Sequence, residues 1–212
     1  MILFGYPVLV YDNVLGKQER ERVHQECIAI EKADTKSKAI WDCDVYTTCW
    51  DSDMQDNPKF KYPLDVFTEK TKNFLDIHGV EESPILEGAW FNSYKKEQFQ
   101  DQHTHFNTHV SAVYFLSAPE GSAPLKLHNP IPSNFQIAMT FKNDHLRPLK
   151  YIQAVDDRLV VFLSATPHSV PQGYNKDPRY SIAINYGITN HNNYKATQLS
   201  SCPQHKGENK CL

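Results

Sequence analysis

Leu159-Val160-Val161-Phe162-Leu163-Ser164-Ala165-Thr166-Pro167-His168-Ser169-Val170-Pro171 is the stretch that decides the fold. Its first five residues are apolar without alternation, the pattern of a short strand covered on both faces. A Ser-Ala-Thr-Pro turn then carries the chain to His168, just beyond the core. A loop rich in turn formers follows, Pro171-Gln172-Gly173-Tyr174-Asn175-Lys176-Asp177-Pro178, and leads into Arg179-Tyr180-Ser181-Ile182-Ala183-Ile184-Asn185-Tyr186. This last strand has a parity. Tyr180, Ile182, Ile184 and Tyr186 share an apolar face, and Arg179, Ser181, Ala183 and Asn185 share the other. The second face reads either as a pocket wall for a carboxylate, with Arg for an ion pair, Ser for a hydrogen bond and Ala for clearance, or as an outward polar face.

Working outward, everything after Gly79 is short β segments divided by turn residues: 86–94, 99–105, 110–116, 124–128, 151–153, 159–163, 166–170 and 180–188. Before them, 14–32 spaces Val23, Cys27 and Ile30 as an amphipathic helix, and 64–77 carries a second stripe of Val66, Phe67, Phe74 and Leu75, with Pro63 at its entrance. Residues 2–11 read as an opening strand, and 41–54 as strand or irregular structure. The fold class expected is α+β, mainly β: a double-sheet jelly roll with N-terminal helices packed on one sheet. One domain is expected over 1–190, with helical support over 14–79, a jelly-roll core over 86–188, and a polar tail over 191–212. The segment 131–148 is a long connection with little pattern.

Composition narrows the partners. The chain has 212 residues, 40% hydrophobic and 22% charged, enough apolar side chains for a packed core. With 22 Lys+Arg against 25 Asp+Glu the net charge is −3, so no basic excess points to nucleic acid or to an anionic membrane. No apolar run approaches the roughly 20 residues of a membrane span. The opening MILFGYPVLVYDNV lacks the positive n-region and cleavage site of a signal peptide. Five cysteines, odd in number and irregularly spaced, read as reduced thiols in the cytoplasm.

The ten histidines draw attention to Gln102-His103-Thr104-His105-Phe106-Asn107-Thr108-His109. On an extended strand residues i and i+2 share a face, so His103 and His105 would offer two imidazoles to one metal. Asp101 has the same parity, so an Asp101/His103 pair is a second register. His109 reads as an exposed or substrate-facing residue across the hairpin bend.

Together, HTHFNTHVSAVYFL, LKLHNP, VVFLSATPHSVP and RYSIAIN resemble the iron(II)- and 2-oxoglutarate-dependent oxygenases. The likeness is greatest to a small family of such oxygenases with an H-x-H, a tyrosine-bearing strand and a distal H-x-V, and covers roughly 90–186. The resemblance implies that His103, His105 and His168 ligate Fe(II). It implies that Arg179 and Ser181 grip the far carboxylate of 2-oxoglutarate, with Tyr114 sharing that contact and Asn92 and Asn185 lining the pocket. The wider superfamily has a carboxylate where His105 stands, so an all-histidine site would be more positive by one unit. The activity implied is oxidation, most simply hydroxylation, of a primary substrate by O2, with release of succinate and CO2. Peptide, metabolite and nucleobase are all open as that substrate.

Two other readings differ in kind. A cupin-like three-histidine dioxygenase needs no keto acid, but it ordinarily carries a Glu after the second His, and 106–113 has none. A non-catalytic jelly-roll binding module would have no iron affinity.

Overall fold

The computed structural model describes residues 6–34, 43–49, 54–129 and 147–188. The tail expected over 191–212 lies outside them, as does the connection over 131–148 apart from Arg147 and Pro148. In chain order the elements are β1 (Val8–Tyr11), α1 (Lys17–Ala33), β2 (Tyr46–Thr47), two 3-10 turns (Met54–Asp56 and Pro58–Phe60) and α2 (Lys61–Ile77). They are followed by β3 (Pro84–Tyr94), β4 (Gln100–His103), β5 (Val110–Ser117), β6 (Leu125–His128), β7 (Leu149–Ile152), β8 (Arg158–Leu163), β9 (His168–Val170) and β10 (Arg179–Ile188).

The strands form two antiparallel sheets, one of six in the order β1-β8-β5-β10-β3-β2 and one of four in the order β4-β9-β6-β7. Two helices lie against the outer face of the larger sheet. There Val23 and Cys27 of α1 and Leu64, Phe67, Phe74 and Leu75 of α2 meet Ala112 and Tyr114 of β5, Leu159 and Val161 of β8, and Ile182 and Ile184 of β10. The inner face meets the smaller sheet through Phe115, Leu125, Leu127, Val160 and Phe162. The double-stranded β-helix expected from the sequence, helices on one sheet, is therefore present. β8 lacks alternation because Leu159 and Val161 face the helices while Val160 and Phe162 face the other sheet.

Helix boundaries differ slightly from expectation. The stripe of α2 runs through Leu64 and Thr71 in place of Val66, which is half-buried. The helix begins at Lys61 with Pro63 inside its first turn, where backbone N–H groups have no intrahelical partner to lose. β4 ends at His103, two residues earlier than expected. Among the described residues no helix is long and apolar enough to cross a membrane.

Asp157 joins the helical layer to the sheet. It is buried and sits at φ 63, a left-handed conformation that Asp tolerates better than most residues. Its carboxylate accepts from the N–H groups of Leu15 and Gly16 ahead of α1, each at 2.8 Å, and from the Tyr114 hydroxyl at 2.7 Å. The α1 N-cap, Gly16, has no side chain of its own for that purpose. Replacing Asp157→Ala leaves the buried Tyr114 hydroxyl and the partly exposed N–H groups of Leu15 and Gly16 without this acceptor and is expected to cost about 1–3 kcal/mol. Tyr114→Phe removes one charge-assisted bond and is expected to cost about 1–2 kcal/mol. Urea denaturation of both variants measures this, and an unchanged midpoint in Asp157→Ala would contradict it.

Candidate active site

Between the sheets lies a narrow cavity whose walls come from β3, β4, β5, β6, β8, β9 and β10. Period-two alternation decides what enters it. On β10 the Arg179, Ser181, Ala183, Asn185 face lines the cavity, while Tyr180, Ile182, Ile184 and Tyr186 pack into the helix-side core. Of the two readings of that face, the pocket wall is the one the fold realises. On β3 the cavity residues are Trp90, Asn92 and Tyr94.

Three histidines converge at one end. Antiparallel pairing of β4 with β9 sets His103 opposite His168. Their ring centroids are 4.2 Å apart, and each lies 5.2 Å from that of His105. One nitrogen from each of the three lies within 4.8 Å of the others, close enough for a shared ion. His105 reaches the cluster from beyond the strand, anchored by its N–H donating to the Ser164 carbonyl at 3.1 Å. That bond ties the H-x-H segment to the turn that leads to His168.

The rings are oriented from behind. His103 Nδ1 is 2.8 Å from the Asp101 carbonyl and His168 Nδ1 is 2.9 Å from the Thr166 carbonyl. An Nδ1–H donating in each case leaves the Nε2 lone pair for a metal. Asn185 Nδ2 lies 3.3 Å from His105 Nδ1, and the Ser111 hydroxyl, itself 2.9 Å from that of Ser164, donates to Asn185 Oδ1 at 2.9 Å. Asn185 thus braces a histidine as well as lining the cavity. Burial holds all three imidazoles neutral: it lowers His103, takes His105 down to about 4 and His168 down to about 3, helped in the last two by the neighbouring His103. Neutral imidazoles are the form a metal ligand requires.

At the other end sits Arg179, 1% exposed, its guanidinium 5.0 Å from the Tyr94 ring centroid and 4.9 Å from that of Phe115. None of its three nitrogens has a hydrogen-bond partner among the described residues. Desolvation brings its pKa down to about 10, so it stays charged at neutral pH. A buried cation without a counter-charge is costly, and a carboxylate bound beside it would relieve the cost. Asn92 Oδ1 is also buried without a partner, and the Ser181 side chain is buried on the same wall. Three neutral imidazoles at one end and an unpaired guanidinium at the other fit a divalent metal and a dicarboxylic keto acid.

Tyr114 does not belong to this group. With Val110, Ala112 and Leu116 it takes the helix-side parity of β5, its ring 4.7 Å from Phe67 and its hydroxyl on Asp157. The role expected for it at the cosubstrate carboxylate is therefore corrected. Asp101 is exposed and contributes its carbonyl, not its carboxylate, so the Asp101/His103 register is not realised. His109 is half-buried and outside the cavity lining. The sequence reading missed Tyr94 and Gln100, which meet through a 2.8 Å bond from the Tyr94 hydroxyl to Gln100 Oε1. Tyr94 had a signal, since it lies two residues beyond Asn92 on the same strand face. Gln100 had none, because the β4–β9 register shifts between it and His103.

Solved proteins with this architecture include hydroxylases and other oxygenases. Residues 88–185, from within β3 almost to the end of β10, match the family model described as "Putative 2OG-Fe(II) oxygenase". A prolyl hydroxylase from Trichoplax adhaerens, solved with a hypoxia inducible factor peptide, superposes with TM-score 0.60 at 18% identity, covering 92% of this chain and 87% of the other. A prolyl-4-hydroxylase from Pseudomonas putida gives TM-score 0.62 at 17% identity, with coverage of 86% and 92%. HygX from Streptomyces hygroscopicus, solved with nickel and 2-oxoglutarate, gives TM-score 0.60 at 15% identity, with coverage of 87% and 83%. At such identities the likeness is one of fold. A search of curated proteins finds no match. The fold and the family match define an Fe(II)- and 2-oxoglutarate-dependent oxygenase, an oxidoreductase. Within that class, residues 88–185 are the part of the chain that matches the model of that family.

The depressed histidines carry a stability consequence. Unfolded, they titrate near 6.5, whereas His24, His103, His105, His128 and His168 are all lowered in the fold by burial. The unfolded chain therefore binds more protons in the acid range, so their contribution is complete above about pH 6.5 and fades as pH falls toward the folded values. Urea midpoints of metal-free protein are expected to decline from pH 6.5 to 5, less steeply in His105→Asn. A flat profile would contradict this.

Proposed function

We propose that His103, His105 and His168 hold the Fe(II), that Arg179 and Ser181 bind the distal carboxylate of 2-oxoglutarate, and that the enzyme hydroxylates its primary substrate, releasing succinate and CO2. The observation that carries this reading is the Arg179 guanidinium, fully buried and unpaired on the same strand face as Asn185, which braces His105. A three-histidine dioxygenase independent of a keto acid would leave that charge unanswered. When bound, Fe(II) with 2-oxoglutarate supplies the oxidising chemistry, coupling decarboxylation of the keto acid to oxidation of the substrate by O2.

The chain's own residues bind, orient and exclude water. Arg179 offers a planar fork of donors to a carboxylate, and the Tyr94 and Phe115 rings hold it in place. Ser181 and Asn92 add polar contacts along the same wall, and Asn185 steadies His105. Val113, Leu125 and Phe162 keep the space between the two ends apolar, which strengthens each charge interaction made there. One domain spanning 1–190 and a cytoplasmic location complete the proposal; the free thiols of Cys27, Cys43 and Cys49 support a reducing compartment.

Anaerobic addition of Fe(II) and 2-oxoglutarate is expected to produce a visible charge-transfer band. His168→Ala should abolish it. Arg179→Met should keep metal binding, measured by calorimetry, while weakening 2-oxoglutarate about 10- to 100-fold, the loss of one charge-assisted carboxylate pair. A band that fails to form in intact protein, or that survives unchanged in both variants, defeats the assignment.

A further inference from the structure

A second, more open groove of about 430 Å³ begins where the active-site cavity ends, and the two share Trp90, His105 and Asn185. A molecule lying in it would reach His105 and hence the face of the histidine cluster, so the groove is the approach available to a primary substrate. Its chemistry is one-sided. Glu87 is the one charged group among its described lining residues, which include no Lys or Arg.

Three features show that Glu87 is placed there by the fold. Along the β3–β10 ladder Asn185 pairs with Gly88 and Tyr186 with Leu86, so Glu87 is the extra, bulged residue between them. A bulge re-aims a side chain that regular alternation would send elsewhere. The side chain then lies over Gly187, where an added Cβ would come 2.3 Å from Glu87 Oε1 and 2.8 Å from its carboxyl carbon. An added Cβ there would oblige the exposed carboxylate end of Glu87 to move from its present position. The carboxylate also makes no hydrogen bond or ion pair to any described residue. Two aromatic rings complete the groove, Trp90 on its wall and Phe106 at its rim, the latter 91% exposed and adjacent to His105. A carboxylate and two aromatic rings lining one groove, with no basic residue among its described lining, suit a cation.

We infer that Glu87, with Trp90 and Phe106, selects a primary substrate bearing a protonated amine or guanidinium and guides it toward the histidine cluster. This rests on the oxygenase reading for what happens next, but the recognition itself does not depend on bound metal. The test therefore uses full-length, metal-free protein. The indole 15N resonance of Trp90, assigned through Trp90→Phe, is followed during titration with four probes: the N-acetyl methylamides of lysine, arginine, glutamine and glutamate. The lysine and arginine probes are expected to shift it in a saturable manner, and the glutamine and glutamate probes are not. Glu87→Gln should weaken the basic probes about fivefold or more. Gly187→Ala, which keeps the charge but displaces it, should weaken them similarly. In both variants the iron–2-oxoglutarate band should match that of the unaltered protein. The proposal is overturned if no basic probe binds, if the neutral probe binds as well, or if Glu87→Gln binds the basic probes undiminished. Absence of the iron–2-oxoglutarate band in unaltered protein would count against the oxygenase site alone, since the probe titration is read without metal.

Discussion

The two-residue period of β10 is the constraint on which this molecule depends. β10 is held on one side by β5 and on the other by β3, so its side chains have only two directions to take. One set completes the core beneath the helices and the other becomes the wall of the active site. A slip of one residue would drive Arg179 into the helix-side core and swing Ile182 into the cavity. The apolar face thus protects the position of the polar one. The large burial of Tyr180, Ile182, Ile184 and Tyr186 is what makes an unpaired, fully buried guanidinium tolerable in the ligand-free fold.

The metal end of the cavity is built differently, from loose ends tied together. His103 closes β4, His168 opens β9, and His105 stands beyond the strand on a single backbone bond to Ser164. Carbonyls of Asp101 and Thr166 and the Asn185–Ser111–Ser164 network fix the ring orientations. An all-histidine set would leave a bound Fe(II) one unit more positive than the usual two-histidine, one-carboxylate set. Arg179 stands at the opposite end of the same cavity, so with a metal bound the field across it would favour an anionic cosubstrate from both directions.

Much of this was legible in the residues. His168 was readable because the LVVFL run must be a buried strand, so the histidine after its turn had to sit just beyond that core strand. Arg179 and Ser181 were readable because their alternation with Tyr180 and Ile182 left them a face of their own. Tyr114 was misplaced although parity pointed the other way: it shares a wholly apolar face with Val110, Ala112 and Leu116, opposite Ser111 and Ser117, and the family likeness was followed instead. Asn185 was placed in the pocket correctly, but its brace on His105 joins residues far apart in the chain.

The amino-acid sequence by itself determined the two-sheet plan, the helices on one face, and the residue types that gather at the two ends of the cavity, because alternation and turn chemistry are local properties. What only the tertiary structure decided is which of two faces becomes interior, where a strand stops, and which side chain a bulge turns outward. The unpaired state of Arg179, the escape of Tyr114 to Asp157, and the seat of Glu87 over Gly187 all arise from pairing between segments distant in sequence. Register between strands is a long-range choice, settled by which burial wins across the whole sheet, and no window of residues contains it.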